Sequence, residues 1–203
     1  MLVSPPNFIC KLFPSLIWRK ETEKKEVWLT FDDGPTEEVT PWILQLLAKI
    51  DIKATFFLIG KEIEKHPKLY KEILDAGHCI GNHSYTHRNG LFTRTKTYLN
   101  DVEKCNSLMK DNKLFRPPFG KLRMNQIKLL KKKYKIIIWS ILSWDFNEKI
   151  DAIEVEKNVL NNVRPGSIIV FHNNKKSFKS LQKTLELILR ELQTKGYHFS
   201  TTW

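Results

Sequence analysis

Strand-like and helix-like segments alternate along almost the whole chain, and this alternation limits the possible folds more than any other feature. We predict strands from short apolar runs at residues 27–31, 54–59, 78–80, 114–115, 134–141, 167–171 and 197–200. We predict helices between them, at residues 39–50, 62–76, 95–110, 124–133, 152–163 and 178–195. Regular alternation of this kind indicates an α/β protein with a parallel sheet.

The residues before the first predicted strand differ from the rest of the chain. Pro5, Pro6 and Pro14 interrupt this apolar stretch, and Lys11 lies in its middle, so it lacks the unbroken apolar run of a signal peptide. We predict an irregular N-terminal arm at 1–26, packed on one domain at 27–203; a membrane-surface anchor is the alternative. With no run of ~20 apolar residues, we expect no transmembrane segment. The expected location is the cytoplasm or the periphery of the cell envelope.

The chain is strongly basic, with 34 Lys and Arg against 22 Asp and Glu and a net charge of +12. Such a surface attracts polyanions such as wall polymers, anionic lipids or nucleic acid. The lysines are spread along the chain in short clusters, for example at 131–133, and no nucleic-acid-binding motif accompanies them. We therefore expect a solvated basic surface and no nucleic-acid partner.

Two adjacent carboxylates, Asp32 and Asp33, follow the first predicted strand. Gly34 and Pro35 come next and turn the chain sharply, which lets both carboxylates face one cleft. Like charges this close raise the pKa of one carboxyl group, and a cation relieves the repulsion. The alternative is an Asp-Gly-Pro turn with solvated carboxylates, and the motif alone is weak evidence for a site.

A histidine pair follows the third predicted strand. His83 and His87 are spaced H-x-x-x-H, which presents both imidazoles to one ion if the segment is helical. Two histidines and a carboxylate leave positions open on the ion for water and substrate, as catalytic metal sites do. Asp33, at a neighbouring strand end, favours this interpretation over two surface histidines.

Three further strand ends carry polar or unusual residues. Arg116 precedes a rigid Pro-Pro turn that can hold its guanidinium against a carboxylate, and Gly120 allows close backbone approach to a ligand. Asp145 is the only carboxylate of segment 139–146. His172 ends the strand at 167–171, where a histidine is either a core residue or a general acid. A solvated arginine in a surface loop is the alternative for Arg116.

The order and spacing of these motifs resemble carbohydrate esterase family 4, the polysaccharide deacetylases with a NodB-homology domain. The matching sequences are TFDDGP at 30–35, H-S-x-x-H at 83–87, RPPFG at 116–120 and an apolar strand that ends in His172. The resemblance runs from residue 27 to the C-terminus. It implies a distorted (β/α) barrel of about seven parallel strands, with the NodB-homology domain at 27–203.

The resemblance also implies a metal centre. Asp33, His83 and His87 resemble the ligands of one divalent ion. Zinc is the expected metal, with cobalt, nickel or manganese as alternatives.

The remaining motif residues resemble the catalytic and substrate-binding groups of the family. Asp32 resembles the catalytic base, Arg116 the residue that orients it, and His172 the general acid. The backbone N–H of Phe119 resembles an oxyanion donor. We expect substrate contacts from Pro118, Phe119, Gly120, Phe146 and Val170.

One motif departs from the family pattern. Where the family has D-x-x-D-W, this chain has Leu142-Ser143-Trp144-Asp145-Phe146. The second carboxylate survives as Asp145, which we expect to act with Arg116 or His172. Phe in place of Trp removes an N–H donor and some volume, so a pocket lined by Phe146 and Val170 is expected to be roomier and less polar.

The sequence therefore predicts a metal-dependent hydrolase that removes N-acetyl groups from a glycan, either peptidoglycan or a chitin-like polymer. The glycan is the expected partner, and a monomer is the expected state. Two alternatives stay open: an inactive carbohydrate- or wall-binding module, and an O-acetyl esterase acting through the same site.

Overall fold

The sheet that carries the candidate site consists of short parallel strands with mostly buried side chains. The computed structural model describes residues 2–203. The strands are β1 (Glu26–Asp32), β2 (Thr55–Leu58), β3 (Cys79–Asn82), β4 (Leu114–Phe115), β5 (Lys135–Ile136), β6 (Ile141–Leu142), β7 (Ile168–His172) and β8 (His198–Phe199). The predicted α/β class and parallel sheet are confirmed.

Seven of these strands form a curled sheet in the order β5-β4-β3-β2-β1-β7-β6, and β8 pairs with β1 outside this path. All of these pairings are parallel. In the central part of the sheet, Asp32 at the end of β1 lies opposite His172 on β7 and Phe57 on β2. The carboxyl ends of the strands therefore meet at one edge, where catalytic groups of (β/α) barrels are found.

Helices cover the outside of the sheet. They are α1 (Asn7–Leu12), α2 (Val39–Lys49), α3 (Gly60–Lys65), α4 (Pro67–Asp75), α5 (Thr95–Asn106), α6 (Met124–Leu130), α7 (Ala152–Leu160) and α8 (Lys175–Thr194). The longest, α8, buries Leu181, Leu185, Ile188, Leu189 and Leu192 in the main core. This spacing of three to four residues places the apolar side chains on one helix face.

The predicted helix at 62–76 is in fact two helices, α3 and α4. The break falls at His66, whose φ is −127°, and Pro67 begins α4. Proline has no N–H to donate to the preceding turn, and it disfavours helical geometry in the residue before it.

The prediction of one strand at 134–141 was wrong. Its two ends form β5 and β6, which are the opposite edges of the curled sheet. Residues 137–140, the crossing segment, run between these edges: the Ile137 N–H donates to the Phe115 oxygen at 2.8 Å, and the Ser140 N–H to the Ile168 oxygen at 3.1 Å. The edge strands β5 and β6 do not pair with each other, which leaves a gap in the barrel. The crossing segment spans this gap, and the barrel is therefore distorted.

The N-terminal arm packs over this gap. Ile17 donates to the Ile136 oxygen at 2.9 Å and accepts from the Ile138 N–H at 2.8 Å, while the Val3 oxygen accepts from the Leu142 N–H at 2.9 Å. The arm contains helix α1, so the expectation of a wholly irregular arm was wrong there. Its first residue, Met1, lies outside the described residues. Within 2–203, none of the helices combines the length and apolarity needed to cross a membrane.

A glycine pair tests how tightly the arm is docked. Gly166 and Gly196 both have positive φ, +84° and +78°. A Cβ added at Gly166 would overlap the backbone oxygen of Lys20 in the arm, whereas the atom nearest to a Cβ added at Gly196 is 3.9 Å away. Gly196→Ala should lower the free energy of unfolding by about 1–2 kcal/mol, the cost of left-handed geometry. Gly166→Ala should lower it further, as measured by urea denaturation. Equal losses would contradict close packing of the arm against this turn.

Candidate active site

A cleft of about 370 Å³ opens at the carboxyl edge of the sheet. It is lined by Asp32, Asp33, His83, His87, Phe119, Lys121, Trp139, Leu142, Phe146, Val170, His172, Asn174 and Lys176. Motif residues that lie far apart in sequence therefore share one cavity, while Arg116 and Asp145 lie behind it and do not line it.

Asp33, His83 and His87 form a compact group of potential metal ligands. One ligand atom from each lies within 4.8 Å of the other two. The Asp33 Oδ1 is 3.2 Å from His87 Nε2 and 3.6 Å from His83 Nε2. The helical arrangement considered for the histidine pair was wrong, because residues 83–87 form a loop. Positive φ angles of 62° at Ser84 and 54° at His87 curl this loop and bring the two imidazoles together.

The surroundings of Asp33 fit a bound cation. Its Oδ2 accepts a hydrogen bond from Asn174 Nδ2 at 2.7 Å. Its Oδ1 is buried and accepts no hydrogen bond from the residues that the structure describes. An unsatisfied buried oxygen is costly unless something else satisfies it. Two imidazole nitrogens and one carboxylate oxygen form a donor set that zinc favours.

His83 is prepared to act as a ligand through its Nε2 atom. Its Nδ1 lies 2.8 Å from the backbone oxygen of Arg116, so Nδ1–H donates and Nε2 carries the free lone pair. Burial lowers the pKa of His83 to about 4, which keeps the imidazole neutral near pH 7. A neutral imidazole is the form that binds metals.

Arg116 fixes the position of the Asp32 carboxylate. Its guanidinium is fully buried, and Nη1 donates to Asp32 Oδ1 and to Thr30 Oγ1, both at 2.7 Å. Nη2 donates to the Ile138 oxygen at 3.0 Å, and the group lies 4.0 Å over the ring of Phe57. A buried arginine with several fixed partners holds a carboxylate in one orientation.

Asp145 pairs with His172 and not with Arg116, which decides between the two partners expected from the sequence. Its Oδ1 is 2.8 Å from His172 Nδ1, and its Oδ2 accepts the His172 backbone N–H at 2.7 Å. Burial alone would lower the pKa of His172, but the Asp145 carboxylate and its hydrogen bond, together with the charges of Asp33 and Asp32, raise it to about 9. The imidazole is therefore protonated near pH 7.

The expected substrate-contact residues divide into two groups. Phe119, Phe146 and Val170 line the cleft; the ring of Phe119 lies 4.7 Å from that of His87, and the ring of Phe146 lies 4.6 Å from that of His172. Pro118 and Gly120 belong to the short 3-10 turn that presents Phe119 and do not line the cleft.

Sequence reasoning missed Lys121, Trp139, Leu142, Asn174 and Lys176 as cleft residues. Asn174 had the clearest signal, because it is an N-cap residue type placed just after His172. Its side-chain oxygen accepts from the N–H groups of Lys176 and Ser177, while its Nδ2 binds Asp33. The prediction that α8 begins at 178, when it begins at Lys175, hid this role.

Comparison with known proteins agrees with this geometry. Residues 19–135 match the family model for polysaccharide deacetylases. A peptidoglycan-N-acetylglucosamine deacetylase of Bacillus cereus is 38% identical over 185 residues, which are 88% of this chain and 67% of that protein. The peptidoglycan-N-acetylmuramic acid deacetylase PdaA of Bacillus subtilis is 29% identical over 190 residues, or 89% of this chain and 71% of that protein.

A solved structure extends the likeness to the fold. The crystal structure of the Bc1960 peptidoglycan N-acetylglucosamine deacetylase matches with a TM-score of 0.88 and 35% identity, covering 97% of this chain and 94% of that one. Sequence and fold thus point to the same group of enzymes. The chain belongs to the polysaccharide deacetylase family, carbohydrate esterase family 4, and is an N-deacetylase of that family.

Proposed function

We propose that this protein is a zinc-dependent hydrolase that removes N-acetyl groups from peptidoglycan. The proposal rests on one observation. Three potential metal ligands, the buried carboxylate of Asp32 and the protonated imidazole of His172 lie together in one cleft. The choice of peptidoglycan is supported by the relatives, which are named for its N-acetylglucosamine and N-acetylmuramic acid sugars.

Asp33, His83 and His87 would hold the zinc ion. When bound, zinc supplies a Lewis acid that makes a water molecule more acidic and polarises a carbonyl group. Asn174 orients Asp33 through its 2.7 Å hydrogen bond, and the Arg116 carbonyl orients His83. Such partners of metal ligands keep the donor atoms directed at the ion.

Asp32 serves as the general base. Its Oδ1 is occupied by Arg116, and Oδ2 remains to accept a proton from the water that attacks the acetyl carbon. The backbone N–H of Phe119 donates to the oxygen that becomes negative as water adds to the carbonyl.

His172 serves as the general acid. Its Nδ1–H is engaged by Asp145, so the proton on Nε2 is the one available for transfer to the departing sugar nitrogen. As the C–N bond breaks, its electron pair stays on nitrogen, which takes this proton and leaves as the free amine. The hydroxyl from water stays on the acetyl carbon, and acetate is released.

Substitution of the proposed ligands tests the metal assignment. Protein purified without chelators should contain about one zinc ion per chain, as measured by elemental mass spectrometry. The double variant His83→Ala/His87→Ala should lose it, because only Asp33 would remain. His198→Ala, which removes an exposed histidine on β8, should retain the metal. Unchanged zinc in the double variant would remove these histidines from the metal site.

The role of Asp32 predicts a variant that binds metal and does not turn over. Asp32→Asn keeps nearly the same shape but cannot accept the proton, so acetate release from peptidoglycan should fall by about 10²–10⁴-fold. Zinc content should stay near one per chain. The exposed Asp111→Asn serves as the control and should retain the wild-type rate. A near-normal rate in Asp32→Asn would exclude it as the base.

The His172–Asp145 pair predicts a shift in the pH profile. His172 must be protonated to donate, so activity should fall as the pH rises through its pKa of about 9. Asp145→Asn removes the negative charge that raises this pKa and leaves the burial that lowers it, so the alkaline limb should move to lower pH. The exposed Asp75→Asn should leave the profile unchanged. An unshifted limb in Asp145→Asn would show that the carboxylate does not control His172.

A further inference from the structure

A second cavity, of about 500 Å³, adjoins the catalytic cleft, and four lysines line it. Lys176 lines both cavities. Asp145 lines the second cavity while its carboxylate contacts His172 of the cleft. Because Lys176 borders both spaces, a glycan whose acetyl group lies in the cleft would extend one of its neighbouring groups into the second cavity, which we call the lysine cavity.

The lysines of this cavity repel one another when no ligand is bound. Lys175, Lys179 and Lys183 follow one another at i, i+4 and i+8, so their ammonium groups share one face of α8. Like charges at this spacing repel, and Lys175 lies in the first turn of α8, where the helix dipole already disfavours cations. Among the residues described, the ion-paired lysines are Lys49, Lys71, Lys133 and Lys195, none of them from this cavity. A bound anion would relieve this repulsion.

The carboxylates of the same cavity compensate only part of this positive charge. The Asp145 carboxylate is engaged by His172, whereas Asp151, which accepts the Glu154 N–H at 2.8 Å, keeps its negative charge. Asp151 and Glu148 therefore stand against four lysines. Ser180 also lines the cavity, and its buried hydroxyl has no hydrogen-bond partner in residues 2–203. The cavity therefore offers several donors and a net positive charge.

We propose that the lysine cavity is a subsite for free carboxylate groups of the glycan, next to the sugar that loses its acetyl group. The inference rests on the proposed function and specifies its substrate class as an acidic N-acetylated glycan. The lactyl group of muramic acid supplies such a carboxylate where no peptide is attached, and an attached peptide supplies its own free carboxylates, whereas chitin supplies none. Lysines on flexible stems suit carboxylates whose position varies from one glycan unit to the next.

The test compares two substrates that differ only in charge. One is the tetrasaccharide of alternating N-acetylglucosamine and N-acetylmuramic acid, and the other is the same molecule with its carboxyl groups converted to amides. Acetate release gives kcat/KM for each. Wild-type protein should prefer the acidic substrate by about three- to tenfold, the size expected of a few partly exposed ion pairs, and added salt should reduce this preference.

Two triple variants isolate the subsite. Lys175→Gln/Lys179→Gln/Lys183→Gln should bring the ratio of the two kcat/KM values close to one, and the corresponding Lys→Arg triple should keep the wild-type ratio. The matched control is Lys128→Gln/Lys131→Gln/Lys132→Gln, which removes the same charge from exposed positions at the end of α6 and after it. This control should keep the wild-type ratio.

The outcomes separate the subsite from the proposed function. If the wild type deacetylates both substrates equally well, or if the α8 glutamine triple keeps the preference, the subsite is refuted and the deacetylase stands. An equal loss on both substrates in that triple also refutes it, because the lysines would then act on the reaction in general. If the wild type releases acetate from neither substrate, the proposed function fails and the subsite fails with it.

Discussion

The buried guanidinium of Arg116 connects both halves of the site. Its side chain binds the Asp32 carboxylate and the Ile138 oxygen of the crossing segment, while its own backbone oxygen accepts the Nδ1–H of His83. The proposed base and the orientation of a proposed metal ligand therefore depend on one residue. Leaving either charge of the buried pair without its partner typically costs about 3–5 kcal/mol, so stability and function are coupled here.

The distorted closure of the barrel places a second constraint on the site. The crossing segment replaces a strand pair and leads into the stretch that carries Asp145, so its position also determines where the partner of His172 lies. The N-terminal arm supports this stretch, since the Val3 oxygen accepts from Leu142 and the Leu2 oxygen accepts from Trp144 Nε1 at 3.1 Å. Packing of an apparently peripheral segment thus contributes to the geometry of the general acid.

Backbone strain is concentrated at the same place. Asp33, His87, Phe119 and Trp144 all have positive φ, at 78°, 54°, 61° and 66°, and none of them is glycine. Such conformations persist only where surrounding contacts impose them, and they commonly mark functional sites. Local sequence preferences do not predict them, which explains why the histidine loop was considered as a helix and why the presentation of Phe119 by its short turn was not foreseen.

The sequence by itself determined the alternation of strands and helices, the α/β class and the identity of the motif residues, because apolar periodicity and motif spacing are local properties. Only the tertiary structure decided that Asp145 pairs with His172, that Asn174 supports Asp33, that residues 134–141 divide between two sheet edges, and that four lysines border a cavity beside the cleft. These contacts join residues distant in the chain. They depend on the register of parallel strands, such as Asp32 opposite His172, which follows from packing of the whole core.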